Sequence, residues 1–210
     1  MSNKEFKTEQ ETFWAGSFGT EYIQRNQGEA LLASNLNFFS KALFSSREIQ
    51  SCIEFGPNIG MNLKALNLLH PTWDLHGIEI NSDAARELAQ VIPSGNVHNT
   101  TILDFNAQRL WDLVLIKGVL IHISPDELPS VYDKLVASTG CYLLVAEYYN
   151  PAPVAIPYRG HMGRLFKRDF AGEIMDRHPQ MRLVDYGFVY HRDPNYPQDD
   201  ITWFLLKKTD

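Results

Sequence analysis

The chain has 210 residues, of which 44% are hydrophobic and 21% charged, a composition typical of a globular protein and not of a disordered, collagen-like or coiled-coil one. Its 25 acidic and 19 basic residues give a formal charge of −6, which argues against a basic surface for nucleic acid. The first residues are polar and the apolar runs are too short to span a bilayer. We therefore expect a cytoplasmic protein with no membrane partner.

Short apolar runs alternate with helical periodicity in the middle of the chain, which predicts parallel strands joined by right-handed helical crossovers in a doubly wound α/β sheet. Five strands are predicted, over residues 52–55, 75–80, 97–103, 112–117 and 141–146. Helices are predicted between them, over residues 60–69, over residues 82–92, and after a capping box that runs from Ser124 to Glu127.

The two ends of the chain have different patterns. Residues 148–163, rich in Pro and Tyr, are predicted to be a loop, and a helix follows over about residues 168–177. Two strands, over residues 183–190 and 201–207, are predicted to form a terminal hairpin. Before the sheet, an amphipathic helix is predicted from about residue 28 to residue 44, preceded by aromatic residues and glycines without clear periodicity.

A candidate nucleotide site lies where the first strand turns into the first helix, at Glu54-Phe55-Gly56-Pro57-Asn58-Ile59-Gly60. Gly56 permits a sharp turn and a close approach of a ligand to the backbone, and the helix N-terminus behind it offers free N–H groups. The G-x-x-x-G spacing differs from the G-x-G-x-x-G of dinucleotide binders, which disfavours an NAD-dependent dehydrogenase. A tight turn without a ligand is the alternative for the two glycines.

Acidic residues close the second and third predicted strands. Glu79 lies about 20 residues beyond Gly56, where a carboxylate can accept hydrogen bonds from both ribose hydroxyls of an adenosine. Asp104 ends the third strand, within reach of an adenine amino group. Because acids at three strand ends would repel a polyphosphate, the pattern favours a neutral or cationic adenosine ligand. The alternative for Glu79 is a charge that stabilises the dipole of the next helix.

Together these features resemble a class I S-adenosylmethionine-dependent methyltransferase over residues 50–210. The resemblance implies a seven-stranded, mostly parallel, doubly wound sheet of the Rossmann-like methyltransferase fold, with the last strand antiparallel. It also implies S-adenosyl-L-methionine as the cofactor. No spacing of histidines and carboxylates suggests a metal site.

A narrower resemblance covers most of the chain. The segments Phe13-Trp14-Ala15-Gly16-x-Phe18-Gly19-x-Glu21-Tyr22-x-x-Arg25-Asn26, Lys117–Ile123 and Pro157–His161 are similar to the methylases associated with pseudaminic acid biosynthesis. This resemblance implies methyl transfer to a small molecule, a sugar or nucleotide-sugar. The oligomeric state, monomer or homodimer, stays open. Residues 1–50 would form a helical lid and a helix packed on the S-adenosylmethionine-binding α/β domain of residues 51–210.

The resemblance also implies which residues contact the cofactor, from its methionine part through ribose and adenine to the sulfonium, and then from the lid. In that order they are Glu54, Gly56, Asn58, Gly60, Glu79, Ile80, Asp104, Phe105, Lys117, Gly118, Trp14, Tyr22, Arg25 and Asn26. Arg25 would pair with the cofactor carboxylate. Many relatives have a glycine at the position of Asn58, whose side chain narrows the loop.

Five residues are candidates for the acceptor side: His122, Tyr149, Tyr158, Arg159 and His161. His122 is either a general base or a packing histidine bonded to the backbone. Arg159 and His161, beside Tyr158, lie in a loop that recognises a carboxylate or phosphate or is simply solvated. Tyr149 follows the fifth strand and either shields a sulfonium by a cation–π contact or caps the core.

Three functions stay open on this reasoning. The first is methyl transfer to a small molecule. The second uses the aminocarboxypropyl arm of the same cofactor, for example in an intramolecular cyclisation to azetidine-2-carboxylate with release of methylthioadenosine. The third is a non-catalytic module that binds S-adenosylmethionine. Specificity for the acceptor is expected in loops, which the fold class does not determine.

Overall fold

The computed structural model of the protein describes residues 6–209. Within these residues the strands are β1 (Ser51–Phe55), β2 (Asp74–Ile78), β3 (Val97–His98), β4 (Trp111–Lys117), β5 (Thr139–Glu147), β6 (Val154–Tyr158), β7 (His161–Lys167), β8 (Met181–Val189) and β9 (Ile201–Lys208). The α-helices are α1 (Glu9–Ala15), α2 (Ser17–Ile23), α3 (Glu29–Ala42), α4 (Met61–Leu69), α5 (Ser82–Leu88), α6 (Leu128–Ser138) and α7 (Phe170–Arg177).

Seven strands form the main sheet, in the order β3-β2-β1-β4-β5-β9-β8. The strands from β1 to β5 pair in parallel, and β9 is antiparallel to both of its neighbours. This confirms the predicted seven-stranded, mostly parallel sheet with an antiparallel last strand. The carboxyl ends of β1, β2 and β4 therefore meet at one edge, which is where such sheets bind ligands.

Hydrophobic residues cover both faces of the sheet because neighbouring side chains in a strand point to opposite sides. In β4, Val114 and Ile116 join a core under α6 and α7, whereas Leu113 and Leu115 join a core under α3, α4 and α5. All four side chains are fully buried. Among residues 6–209, no helix is both long enough and apolar enough to cross a membrane.

The third strand is shorter than predicted, which corrects the range of residues 97–103. β3 ends at His98, whose carbonyl accepts from the backbone N–H of Glu79 at 3.0 Å. The side-chain amide of Asn99 then donates to the Glu79 carbonyl at 2.8 Å and takes the place of a further backbone bond. From Thr100 onward the chain leaves the sheet, so Ile102 and Leu103 lie outside the strand that was predicted to contain them.

The prediction of a loop over residues 148–163 is wrong, because this region contains β6 and the start of β7. The two strands form a separate two-stranded antiparallel sheet. Pro157 lacks a backbone donor but is tolerated in so small a sheet, where one edge of each strand is unpaired. Tyr158 pairs with His161 across a two-residue turn of Arg159 and Gly160. The turn has Arg where Asn or Gly would mark a hairpin, and the Pro and Tyr content of the segment indicated a loop instead.

The predicted capping box at the start of α6 is absent. Residues Pro125–Glu127 form a 3₁₀ turn, and the Ser124 side chain makes no capping hydrogen bond there. The carboxylate of Glu127 instead accepts from the Lys7 ammonium at 2.8 Å. The remaining predicted helices and strands lie close to their expected positions, although α5 ends earlier, at Leu88.

Candidate functional site

A cavity of about 630 Å³ opens at the carboxyl ends of β1, β2 and β4. We call the wall formed by these strand ends the floor of the cavity. The opposite wall, formed by α1, α2, the β6–β7 turn and the β8–β9 loop, is called the cover. The volume is in the range of sites for small molecules and cofactors. Within the described residues, no three His, Cys, Asp or Glu side chains cluster as metal ligands would.

The turn after β1 has a left-handed backbone at three positions, with φ of 77° at Gly56, 54° at Asn58 and 86° at Gly60. A β-carbon at Gly56 would lie 2.7 Å from Cγ2 of Val119, and one at Gly60 would lie 2.6 Å from Cδ1 of Leu88. Both glycines are therefore required for packing as well as for the turn. Gly56 and Asn58 line the cavity, whereas Gly60 does not, which corrects the expectation that Gly60 contacts a ligand.

Glu79 lies directly after β2, is 6% exposed and lines the cavity. Its Oε2 accepts from the backbone N–H of Asn58 at 2.8 Å, and its Oε1 accepts from the backbone N–H of Asn81 at 2.8 Å. Burial raises the pKa of this carboxyl to about 7. Each oxygen retains a further lone pair, so the group can accept two more hydrogen bonds from a ligand in the cavity.

Glu54 is placed beneath the cavity wall and does not line the cavity, which corrects the expectation of direct contact with a ligand. It is fully buried in β1, and its Oε1 accepts from Nδ2 of Asn62 at 2.6 Å. Burial raises the pKa of Glu54 to about 7. Asn62 lines the cavity and was missed by sequence reasoning, since it lies inside α4 with no motif to mark it.

The end of β4 and the residues after it also belong to the floor of the cavity. Lys117 lines the cavity together with Gly118, which has φ of 68°. Glu147, buried at the end of β5, accepts from the backbone N–H groups of Val119 at 2.9 Å and Leu120 at 2.8 Å. Burial raises the pKa of Glu147 to about 7. Sequence reasoning missed Glu147 because the fifth strand was predicted to end one residue earlier.

The early end of β3 moves two predicted residues away from the cavity. Asp104 is exposed, and Phe105 is buried against Phe55 at 5.9 Å between ring centroids, so neither lines the cavity. The adenosine contacts expected from them are corrected accordingly. Three residues that precede Asp104 in the same segment line the cavity instead: Thr100, Ile102 and Leu103. Ile80, which was predicted to contact the cofactor, lines the cavity as well.

The cover places four predicted residues over the floor: Trp14, Tyr22, Arg25 and Asn26. The rings of Trp14 and Tyr22 meet edge to face at 5.2 Å. Nδ2 of Asn81, beside Glu79 on the floor, donates to the backbone carbonyls of Trp14 at 3.2 Å and Gly16 at 3.3 Å. This amide connects the cover directly to the floor.

His122 lines the cavity and is 7% exposed. Its Nδ1 lies 2.6 Å from the carbonyl oxygen of Arg164, which can only accept, so Nδ1 carries the proton. Burial lowers the pKa of His122 to about 4, so the ring is neutral near pH 7. Nε2 then holds a free lone pair, the form a general base requires.

The other acceptor-side candidates are not all at the cavity. Arg159 lines it, whereas Tyr158 lies behind, with its ring centroid 4.8 Å from that of His122. His161 is exposed and packs on Phe13 at 5.2 Å, outside the cavity. Tyr149 does not line the cavity either.

Tyr149 is 41% exposed, lies outside the cavity and contacts Phe204 at 6.0 Å between ring centroids. Its neighbour Tyr148 points the other way, and the Tyr148 hydroxyl donates to Oδ2 of Asp199 at 2.8 Å. Asp199, like His191 and Gln198, lines the cavity from the β8–β9 loop, and Asn35 lines it from α3. Sequence reasoning missed these residues because loop position alone carries no spacing signal.

No known family model matches the chain, and no curated protein matches it in sequence. Solved structures match its fold. One is the 1,6-didemethyltoxoflavin-N1-methyltransferase of Burkholderia thailandensis with bound S-adenosylhomocysteine, at a TM-score of 0.69 and 14% identity, covering 99% of this chain and 93% of that one.

Two further solved structures match comparably. The sugar N-methyltransferase KedS8 from Streptoalloteichus has a TM-score of 0.67 and 12% identity, covering 100% of this chain and 98% of that one. The mitomycin 7-O-methyltransferase MmcR has a TM-score of 0.69 and 12% identity, covering 96% of this chain but only 61% of its own length. At such identities the likeness establishes the shared fold.

Proposed function

We propose that this chain is an S-adenosylmethionine-dependent methyltransferase for a small molecule, with a sugar or nucleotide-sugar as the acceptor class. The observation that carries the proposal is Glu79, a buried carboxylate in the cavity at the end of β2 with both oxygens oriented by backbone N–H groups. The fold neighbours support it, since they are S-adenosylmethionine-dependent methyltransferases and one acts on a sugar. The similarity to methylases associated with pseudaminic acid biosynthesis supports the acceptor class.

The residues present fit S-adenosylmethionine. Two free lone pairs of Glu79 match the two hydroxyl donors of a ribose. The indole N–H of Trp14 is buried at the cavity with no hydrogen-bond partner among the described residues, so a donor is free on the cover. A β-carbon at Gly118 would have no protein atom within 4 Å, so the floor leaves room there for a ligand.

We assign the parts of the cofactor to the floor and the cover. Gly56 and Asn58 of the turn after β1 would lie along the methionine part, with Glu79 at the ribose and Ile80 beside the adenine. Arg25 and Asn26 would hold the methionine carboxylate from the cover. When bound, S-adenosylmethionine supplies a methyl group already activated by a sulfonium.

The chain's own work is then to align an acceptor and exclude water. Trp14 and Tyr22, whose rings meet edge to face at 5.2 Å, would shield the reacting groups from solvent. His122 is assigned the role of general base, and its Nε2 would take the proton of an acceptor hydroxyl or ammonium. The Arg164 carbonyl keeps the ring in the required tautomer by accepting from Nδ1.

Cofactor binding tests the assignment of Glu79. We expect calorimetry to show one-to-one binding of S-adenosylhomocysteine, weakened about tenfold or more in Glu79→Ala, because hydrogen bonds to a charged group contribute about 1.5–3 kcal/mol. Glu87→Ala, an exposed acid on α5, is the matched control and should bind as the native protein does. Equal affinity in both variants would remove Glu79 from the ribose site.

Product analysis tests the reaction class. The protein is incubated with S-adenosylmethionine, with and without a pool of sugars and nucleotide-sugars, and all products are followed by mass spectrometry. Methyl transfer predicts S-adenosylhomocysteine and an acceptor heavier by one CH₂ group, formed only with the pool. Methylthioadenosine formed without the pool would show that the aminocarboxypropyl arm reacts and would contradict the proposal.

A further inference from the structure

Lys117 places an unpaired positive charge at the floor of the cavity. The residue is half-buried, and in the described part of the chain no carboxylate lies within 4.0 Å of its ammonium and no group accepts a hydrogen bond from it. Its nearest described partner is the ring of Phe38, with Nζ 5.5 Å from the ring centroid. A partly desolvated ammonium without a counter-ion is unfavourable, so the arrangement calls for an anion from outside the protein.

The acidic groups around Lys117 are engaged elsewhere. Glu54 accepts from Asn62 at 2.6 Å, and Glu147 accepts from two backbone N–H groups beyond β4. Asp199, the acid that faces Lys117 from the β8–β9 loop, accepts from the Tyr148 hydroxyl at 2.8 Å. These carboxylates moderate the charge of Lys117 at a distance, but none of them pairs with it.

Arg159 brings a second cation without a carboxylate partner to the same cavity; the residue is exposed, and its guanidinium lies 5.6 Å from the centroid of the Tyr158 ring. It occupies the two-residue turn between β6 and β7, where φ is 49° at Arg159 and 85° at Gly160. Turns with two left-handed residues favour Asn-Gly or Gly-Gly, so an arginine there is strained. Among the described residues its guanidinium has no carboxylate within 4.0 Å, and it feels the same Asp199 charge as Lys117 does.

We propose that the acceptor carries an anionic group, a carboxylate or a phosphate, which Lys117 binds from the floor and Arg159 from the cover. The inference rests on the proposed function and narrows its substrate class. The sulfonium of the cofactor would add a further positive charge near Lys117 and Arg159, neither of which has a carboxylate partner, and this favours an anionic acceptor on their side of the cavity. Arg25 is left for the carboxylate of the cofactor.

Anion binding to the protein saturated with S-adenosylhomocysteine tests this assignment without catalysis. Pyrophosphate and malonate are titrated separately at constant ionic strength, the first as a probe for a phosphate-bearing acceptor and the second for a carboxylate-bearing one. We expect the native protein to bind one of them about tenfold or more tightly than Lys117→Met or Arg159→Asn does. Arg159→Asn suits the turn, so this variant should fold.

Matched controls are Lys64→Met, an exposed lysine on α4, and Arg47→Ala, an exposed arginine outside the cavity. Both should bind the anions as the native protein does. A native protein that binds S-adenosylhomocysteine but neither anion, or variants that bind both anions as tightly as the native protein, would overturn the inference. Failure to bind S-adenosylhomocysteine would instead contradict the proposed function.

A second comparison separates the acceptor from the cofactor as the source of the anion. S-adenosylhomocysteine carries a carboxylate, whereas methylthioadenosine has none. We expect the ratio of the two affinities to be the same in Lys117→Met as in the native protein. A variant that binds methylthioadenosine normally but S-adenosylhomocysteine about tenfold more weakly would place the cofactor carboxylate on Lys117 and overturn its assignment to the acceptor.

Discussion

The floor and the cover of the cavity are held by different kinds of interaction. On the floor, backbone N–H groups fix the carboxylates of Glu79 and Glu147, and left-handed glycines pack against Val119 and Leu88. The cover depends on aromatic contacts, such as the rings of Phe13 and Phe18 at 4.1 Å, and on a few polar links. The floor is therefore preorganised, whereas the cover can open without disturbing the core of the sheet.

The largest expected effect comes from breaking the floor with Gly56→Ala. The added β-carbon would meet Cγ2 of Val119 at 2.7 Å, at a backbone φ of 77°. We expect the free energy of unfolding in urea to fall by about 2–4 kcal/mol, from strain and overpacking together. Gly95→Ala, where nothing lies within 4 Å of a β-carbon, is the control. If both variants lost the same free energy of unfolding, the tight packing at Gly56 would not be what makes the floor rigid.

The pH dependence of stability sharpens the comparison, because the buried acids belong to the floor. Burial raises the pKa of Glu54, Glu79 and Glu147 from an ordinary 4.5 to about 7. Between these values the native state keeps protons that the unfolded chain has released, so stability falls as pH rises. Burial lowers the pKa of His122, and also the pKa of His70 and of His98, and these groups oppose the trend below pH 6.5. The fall in stability is therefore expected mainly above that pH.

We expect the unfolding temperature of the unliganded protein to be roughly 5 °C lower at pH 7.5 than at pH 5.5. Glu147→Gln keeps an acceptor for the two backbone N–H groups and should reduce this difference. An unfolding temperature that rises across the same interval would contradict the burial of the three acids.

Gly19→Ala breaks the cover alone. A β-carbon there would overlap the carbonyl oxygen of Trp14 and lie 2.9 Å from Nδ2 of Asn81, the amide that joins cover and floor. We expect calorimetry to show about tenfold weaker binding of S-adenosylhomocysteine, equivalent to roughly 1–2 kcal/mol of overpacking, with a smaller loss of stability than Gly56→Ala. Glu21→Ala, an exposed side chain on α2, should bind normally.

Lys7→Ala removes an ion pair at the edge of the cover and should have the smallest effect on cofactor affinity. The ammonium of Lys7 is 2.8 Å from the Glu127 carboxylate, but the Lys7 side chain is 63% exposed. Such pairs contribute about 0.2–1 kcal/mol and are screened by salt. We expect a barely measurable change in cofactor affinity at low salt and none at high salt. A large change would mean that the cover is held mainly by charge.

The floor was predictable from the sequence because its chemistry follows from topology. Once β1, β2 and β4 are recognised as parallel strands, their carboxyl ends must meet, which brings Gly56, Glu79 and Lys117 to one cavity. The errors on the floor come from strand length. The third strand was predicted too long, which misplaced Asp104 and Phe105. The fifth was predicted to end one residue before Glu147, which hid that residue.

The cover was less predictable because tertiary packing decides it. α1 and α2 have seven residues each, too few to show a clear helical period. The β6–β7 hairpin was missed because Arg159 stands where Asn or Gly would mark the turn. Asp199 reaches the cavity through a contact with Tyr148, which lies 51 positions away in the chain and leaves no local pattern.

A crystal structure of the protein with S-adenosylhomocysteine tests the central claim most directly. We expect both ribose hydroxyls to donate to the carboxylate of Glu79. The adenine should lie beside Ile80, Ile102 and Leu103, under a cover that includes Trp14. A ribose bound away from Glu79, or a nucleoside outside this cavity, would contradict it.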